Sequence, residues 1–169
     1  MSKLEITQIE EDRYTQLQFI ALDYAREGQT KELEEMIKHG MSVNLCTHKD
    51  DSLLMLASYN GNIETAKMLL ENGAKIDEVN QRGQTPLEGV CFKGNLEMVQ
   101  LLLDYGADTG GNAVIYATMF GHKNVLELLK NKGIESTKYK IFGLKVEWLA
   151  SMTSRVRKLF SPKEAMTVA

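Results

Sequence analysis

A chain of 169 residues with 43% apolar residues, 25% charged residues and a net charge of −3 can fold as one domain and has neither a disordered nor a collagenous composition. Two cysteines, Cys46 and Cys91, at no motif spacing argue against a disulfide framework or a zinc site and favour a reducing compartment. No run of about 18 apolar residues occurs and the N-terminus lacks an apolar targeting core, so neither export nor membrane spanning is expected and a cytoplasmic location is.

The first predicted element runs from Glu10 to Glu27, where Tyr14, Leu17, Ile20, Leu22 and Tyr24 recur at mostly helical intervals and Gly28 stands as a stop. A shorter helix follows over Thr30–His39, with Leu33, Met36 and Ile37 on one face and Gly40 at its end. The pair then repeats. Gly28, Gly61 and Gly94 are spaced by 33, as are Gly40, Gly73 and Gly106, and GNIETAKMLLENGA from Gly61 aligns with GNLEMVQLLLDYGA from Gly94 without a gap. A fixed period of this length marks a stack of supersecondary units, none of which can bury its apolar face alone.

Ser52, Thr85 and Asn112 stand at equivalent positions as caps for the inner helices, and Pro86 fits the first helical position, where its missing donor costs nothing. Phe19 occupies that position in the first unit, so its helix is expected to extend backward as an N-terminal cap on the stack. Small residues such as Ala57, Gly89 and Ala117 mark close approach of inner helices. The outer helices repeat an apolar stripe: Ile63, Ala66, Leu69 and Leu70, then Leu96, Val99, Leu102 and Leu103, then Val125, Leu128 and Leu129. Between the third and fourth units the step falls to 27, because six residues are missing from the connecting segment.

With Thr85, Pro86 and Leu87 heading a unit of 33 residues, the chain resembles an ankyrin-repeat protein, whose signature is T-P-L-H-x-A. It departs where Met55, Glu88 and Ile115 replace the signature's histidine. The resemblance implies an all-α solenoid of about four helix-turn-helix repeats with short β-turn fingers: residues 1–136, with repeats over about 14–46, 47–79, 80–109 and 110–136. It implies fingers at Asn44–Asp51 and Asp77–Gln84, whereas Thr109, Gly110 and Gly111 are too few to form a third. The runs DSLLMLASYNGN and RGQTPLEGV are similar to small free-standing bacterial members of the family.

Residues 137–169 form an extension with seven Lys/Arg against two acids, which leaves −8 on the preceding residues. An acidic repeat body argues against nucleic acid, which requires clustered Lys/Arg. Leu144, Trp148, Met152, Val156, Leu159 and Phe160 share one side of a predicted helix that ends before Pro162. This basic amphipathic helix either covers the apolar end of repeat four or contacts a membrane surface or partner, with Trp148, Arg155, Arg157 and Lys158 as the membrane-contact candidates.

No local motif supplies a nucleophile with a base, a phosphate-binding loop or a pair of histidines at ligand spacing, so the chain is not expected to be an enzyme or to bind a cofactor, a small-molecule substrate or a metal. His39 and His122 sit at helix ends and read as structural hydrogen-bonding groups. The family resemblance implies a protein partner on the concave face, contacted by the fingers and the exposed ends of the inner helices. Register selects Arg26, Tyr59, Asn60, Phe92, Lys93, Met119 and Phe120 from the helices, and His48, Lys49, Asp51, Gln81, Arg82 and Gln84 from the fingers. Aromatic residues and arginine at such positions are frequent binding anchors.

Overall fold

A computed structural model describes residues 3–133 apart from 110 and 111, together with Lys140, Ile141, Leu144 and Lys145; side chains are described from Glu10 to Gly133. The described helices are α1 (Lys3–Glu27), α2 (Thr30–Lys38), α3 (Leu53–Asn60), α4 (Ile63–Glu71), α5 (Pro86–Lys93), α6 (Leu96–Asp104), α7 (Ala113–Met119) and α8 (Lys123–Asn131). They form two layers. The inner helices α1, α3, α5 and α7 pack each on the next, the outer helices α2, α4, α6 and α8 do the same, and each inner helix packs on its outer partner.

Side-chain size separates the layers. Each outer helix buries one leucine completely, namely Leu33, Leu69, Leu102 and Leu129, and each is worth about 1.5–3 kcal/mol on transfer from water. The inner layer buries Ala25, Ala57, Val90 and Ala117, which let successive helices approach. Gly89 does not belong to that set, although its size suggests it. It lies one residue before Val90, where a Cβ would reach Tyr59 Cδ2 at 3.5 Å, an ordinary contact.

The predicted caps at Ser52 and Thr85 are present. Ser52 Oγ accepts from Met55 N at 3.2 Å, and Thr85 and Glu88 form a reciprocal capping box. Asn112 is a correction: its side chain does not cap α7. It has no finger behind it to hold an extended cap conformation, and its backbone and side-chain N–H groups donate instead to Glu88 Oε1 of the preceding repeat. The glycines behave as their spacing requires, with Gly61 and Gly94 ending α3 and α5 in the left-handed region at φ +82° and +78°.

The first helix corrects the sequence reading in another way. It does extend back, to Lys3, but Tyr14, Leu17 and Ile20 are exposed, and the residues that pack on the stack are Ala21, Leu22 and Ala25. A 25-residue helix lies against an eight-residue neighbour, so its turns before Ala21 run past the end of that neighbour. The predicted C-terminal helix lies outside the described residues apart from its first two, and these correct its start: Leu144 and Lys145 form β2 (Leu144–Lys145), paired antiparallel with β1 (Lys140–Ile141). The membrane-contact candidates Trp148, Arg155, Arg157 and Lys158 also lie outside the described residues.

Candidate functional site

The two fingers are built from local polar bonds. In the first, Thr47 Oγ1 accepts from the backbone of Lys49 and Asp51 at 3.2 Å each, and Asp50 takes φ +60° at the tip. In the second, buried Asn80 accepts from the backbone of Arg82 and Gln84 at 3.0 and 3.1 Å, closing the turn that places Gly83 at φ +69°. The fingers then bond each other. Gln81 donates from its backbone to Lys49 O at 3.1 Å and from Nε2 to His48 O at 2.8 Å; Asn80 Nδ2 donates to Asp51 Oδ1 at 2.7 Å, and Arg82 pairs with Asp51 at 3.6 Å.

Among the sequence-selected residues, Asp51 and Gln81 therefore hold one finger to the next, and Arg82 is tied to the same carboxylate. His48 and Lys49 contribute backbone oxygens to this ladder and keep exposed side chains. Arg26 is ion-paired with Asp23 one turn earlier in α1, and Asn60 Nδ2 bonds back to Leu56 O at 2.8 Å. Lys93 Nζ lies 4.6 Å from the centroid of the Tyr59 ring, a cation–π contact joining the second and third repeats.

Further along the concave face, the rings converge. Phe92 packs edge-on against Phe120 at a centroid distance of 4.4 Å and against Tyr116 at 6.3 Å. The Tyr116 hydroxyl accepts from Gln84 Nε2 at 3.3 Å. His122 stacks on Phe120 at 6.4 Å while its Nε2 bonds Phe92 O at 2.9 Å, which ties the Phe120 side of the pair to the end of α5. Met119 and Tyr59 are each 41% exposed and Phe92 36%, so the cluster presents apolar surface where the connecting chain is six residues short.

The structure thus brings Tyr59 together with Lys93, and Phe92 with Phe120 and with Tyr116, which Gln84 bonds; Met119 is exposed, and Arg26, His48 and Lys49 stand apart at the first-repeat end. The latter border a separate groove of about 490 Å³ between α1 and the first finger, floored by Phe19, Leu22, Leu45 and Leu56. One ring of the aromatic patch, Tyr116, escaped the sequence reading. It is 27 residues after Gly89, so the shortened register places both at one position, at which the second repeat carries Leu56. A Cβ at Gly89 would stand in ordinary contact with the Tyr59 ring, 3.5 Å from Cδ2.

The thiols offer little reactivity. Burial pushes Cys91 up to about 12, helped by the Glu88 carboxylate. Exposed Cys46 is also raised, by partial burial and then by the carboxylates of Asp50 and Glu78. Neither supplies a thiolate at neutral pH. Among the described residues no group of three or more His, Cys, Asp or Glu could hold a metal ion, and no helix is long and apolar enough to cross a membrane.

Two layers of short paired helices, left-handed glycine stops and finger turns together define an ankyrin-type repeat protein. The family model for ankyrin repeats (3 copies) matches residues 7–80 and 54–140, and the chain belongs to the ankyrin-repeat family. It is similar to an ankyrin-repeat protein of Pseudomonas aeruginosa, with 48% identity over 46 residues; that match spans 27% of each chain. The crystal structure of the human ASB11 ankyrin repeat domain superposes with a TM-score of 0.71 at 26% identity, covering 83% of this chain and 69% of that one. Ankyrin repeats are in general protein–protein interaction modules.

Proposed function

We propose that this chain is a non-catalytic adaptor or regulator that binds a protein partner on its concave face, centred on Phe92, Tyr116 and Phe120 and extending to Tyr59 and Met119. The observation that carries this reading is the Phe92–Phe120 pair at 4.4 Å, with Phe92 36% exposed and Phe120 half-buried, at the place where a third finger would otherwise lie. A preorganised aromatic pair loses little side-chain freedom on binding, so its burial goes largely into affinity. Arg26, His48, Lys49, Asn60 and Lys93 supply the polar rim, while Asp51, Gln81 and Arg82 support the fingers from behind. The free thiols fit action in a reducing, cytoplasmic compartment.

The test compares two concave-face variants in affinity capture from the native host with mass spectrometry. Phe92→Ala removes an anchor and is expected to lower capture of a specific partner at least tenfold, since truncating a central aromatic hot spot costs about 2 kcal/mol or more. Gly89→Leu adds bulk beside the Tyr59 ring and removes a helix-interior glycine, which otherwise costs roughly 0.5–1 kcal/mol relative to alanine. It is expected to abolish capture with thermal stability preserved. Capture unchanged in both variants, with both folded, would reject the concave-face reading.

A further inference from the structure

The second finger holds to the first through three consecutive residues. Asn80 Nδ2 donates to Asp51 Oδ1 at 2.7 Å, Gln81 donates from its backbone to Lys49 O and from Nε2 to His48 O, and Arg82 pairs with Asp51 at 3.6 Å. One period of 33 earlier stand Thr47, His48 and Lys49, in a turn closed the same way: Thr47 N donates to Asp51 O as Asn80 N does to Gln84 O. These three have no finger to reach back to, because residues 14–18, a further period earlier, belong to α1. In that place lies the groove of about 490 Å³ between α1 and the first finger, and Thr47, His48 and Lys49 all line it.

The groove combines an apolar surface with surplus cation. Leu22, Leu45 and Leu56 line it together with Phe19, which at 64% is the most exposed large apolar side chain among the described residues. Lys49 makes no ion pair among the described residues. Arg26 is paired with Asp23 at the surface, where such pairs contribute little. Asp51, the one acid on the lining, is already held by Asn80 and Arg82, and the tip residue Asp50 does not line the groove.

We propose that this groove binds an extended acidic and apolar segment of a protein partner, which takes the place of the finger that the first repeat lacks. A segment added at such an edge gains affinity from main-chain hydrogen bonds and specificity from alternate side chains. The His48 N–H donates to a backbone carbonyl of the segment, as the Gln81 N–H donates to Lys49 O. Lys49 meets a carboxylate, as Arg82 meets that of Asp51. The next side chain along points the other way, and an apolar one covers Phe19 and the leucines. A basic segment would bring like charge to Lys49 and Arg26 and is rejected. The groove lies at the first-repeat end, so this extends the concave-face reading without resting on the Phe92–Phe120 pair.

The probe is a fluorescein-labelled, end-capped hexapeptide of alternating leucine and aspartate, titrated into the full chain by fluorescence polarisation beside the matching leucine–asparagine and leucine–lysine peptides. The aspartate peptide is expected to bind saturably, the asparagine peptide more weakly by roughly tenfold or more, the scale of a lost charge-assisted hydrogen bond, and the lysine peptide not at all. Lys49→Glu and Phe19→Ser change exposed side chains; both are expected to weaken binding by roughly tenfold or more with thermal melts unchanged, whereas Phe92→Ala leaves it at the parent level. No saturable binding by the parent, equal binding of the asparagine or lysine peptide, or binding that both groove variants leave intact overturns the proposal. Loss in Phe92→Ala with the groove variants unaffected would move the peptide to the aromatic pair. A peptide-free dimer in sedimentation that Phe19→Ser dissociates would give the groove to a second copy. Either result also overturns the proposal. Partner capture by the Phe92→Ala and Gly89→Leu variants is a separate measurement, so the two readings fail independently.

Discussion

The junction between the second and third repeats and the junction between the third and fourth use the same helix pairs and differ by six residues of connecting chain. Where the finger is present, Asn80 and Gln81 bridge to the preceding finger, Asn80 Nδ2 also lies 3.4 Å from Met55 Sδ, and Lys93 covers the Tyr59 ring. Where it is absent, Glu88, which occupies Met55's place one repeat later, turns a buried carboxylate to the orphaned Asn112 N–H groups, and exposed Phe92 meets the half-buried rings of Tyr116 and Phe120. A shortened connection does more than remove contacts. It transfers the hydrogen-bonding duty of the finger to one acid in the inner helix and leaves part of an apolar face exposed.

The largest expected effect comes from the glycines at the two junctions. An alanine Cβ at Gly94 would overlap the His122 ring, whereas one at Gly61 would stand 3.2 Å from Asn95 Nδ2, a single amide that can give way. Both positions carry positive φ, which costs an L-residue about 1–2 kcal/mol. Gly94→Ala additionally drives His122 off Phe92 O, a bond worth about 1 kcal/mol, so its total is expected near 3 kcal/mol in urea unfolding, against 1–2 for Gly61→Ala. Equal losses would mean that His122 is not what fixes the aromatic pair.

Next in size is Glu88→Met, which gives the third repeat the residue of the second. The buried carboxylate accepts from Thr85 N at 3.2 Å and from both Asn112 donors. Removing it strands them, at a cost of roughly 2 kcal/mol when buried donors lose their acceptor. Methionine is tolerated at position 55 because Asn80 and Asp51 of the fingers satisfy each other there. A loss well below that figure would show that Asn112 finds water or another acceptor, and that the short connection needs no compensation.

Much of this architecture was legible because the repeat dictates it. The 33-residue glycine spacing, the Ser52 and Thr85 caps and the outer-helix leucines are local signals that tertiary structure does not override. Asn112 failed as a cap because its conformation depends on a finger that is missing, and its true partner is 24 residues away in sequence. Tyr14, Leu17 and Ile20 have a core-like period, yet the length of the neighbouring helix decides whether a stripe finds a surface to bury against. At the candidate site, Phe92 and Phe120 followed from register, whereas Tyr116 emerges only when the register is carried through the deletion. Asp51 and Gln81 have the composition of contact residues, and only the finger-to-finger geometry reveals that each is spent on bonds to the neighbouring finger.

The smallest effect concerns a position that both junctions share. Ser58, Cys91 and Thr118 are buried equivalents; Ser58 Oγ donates to Met55 O at 3.2 Å and Thr118 Oγ1 to Val114 O at 2.7 Å. Only Cys91 titrates. Burial, then the Glu88 carboxylate, raises its thiol from the ordinary 9.0 to about 12. The folded chain therefore holds this proton through a window in which the unfolded chain releases it. With fewer protons bound in the unfolded state, stability falls as pH rises from about 9 towards about 12 and levels off above it. Cys91→Ser is expected to retain stability at neutral pH to within about 1 kcal/mol, because the hydroxyl can bond back to the helix as Ser58 does, and to lose this part of the alkaline decline. Urea midpoints of parent and variant on either side of the window give the comparison, the shared titrations of lysine and tyrosine cancelling. Identical slopes would mean that the third repeat opens locally and lets Cys91 ionise without unfolding, which would make the junction beside the aromatic pair the least stable part of the stack.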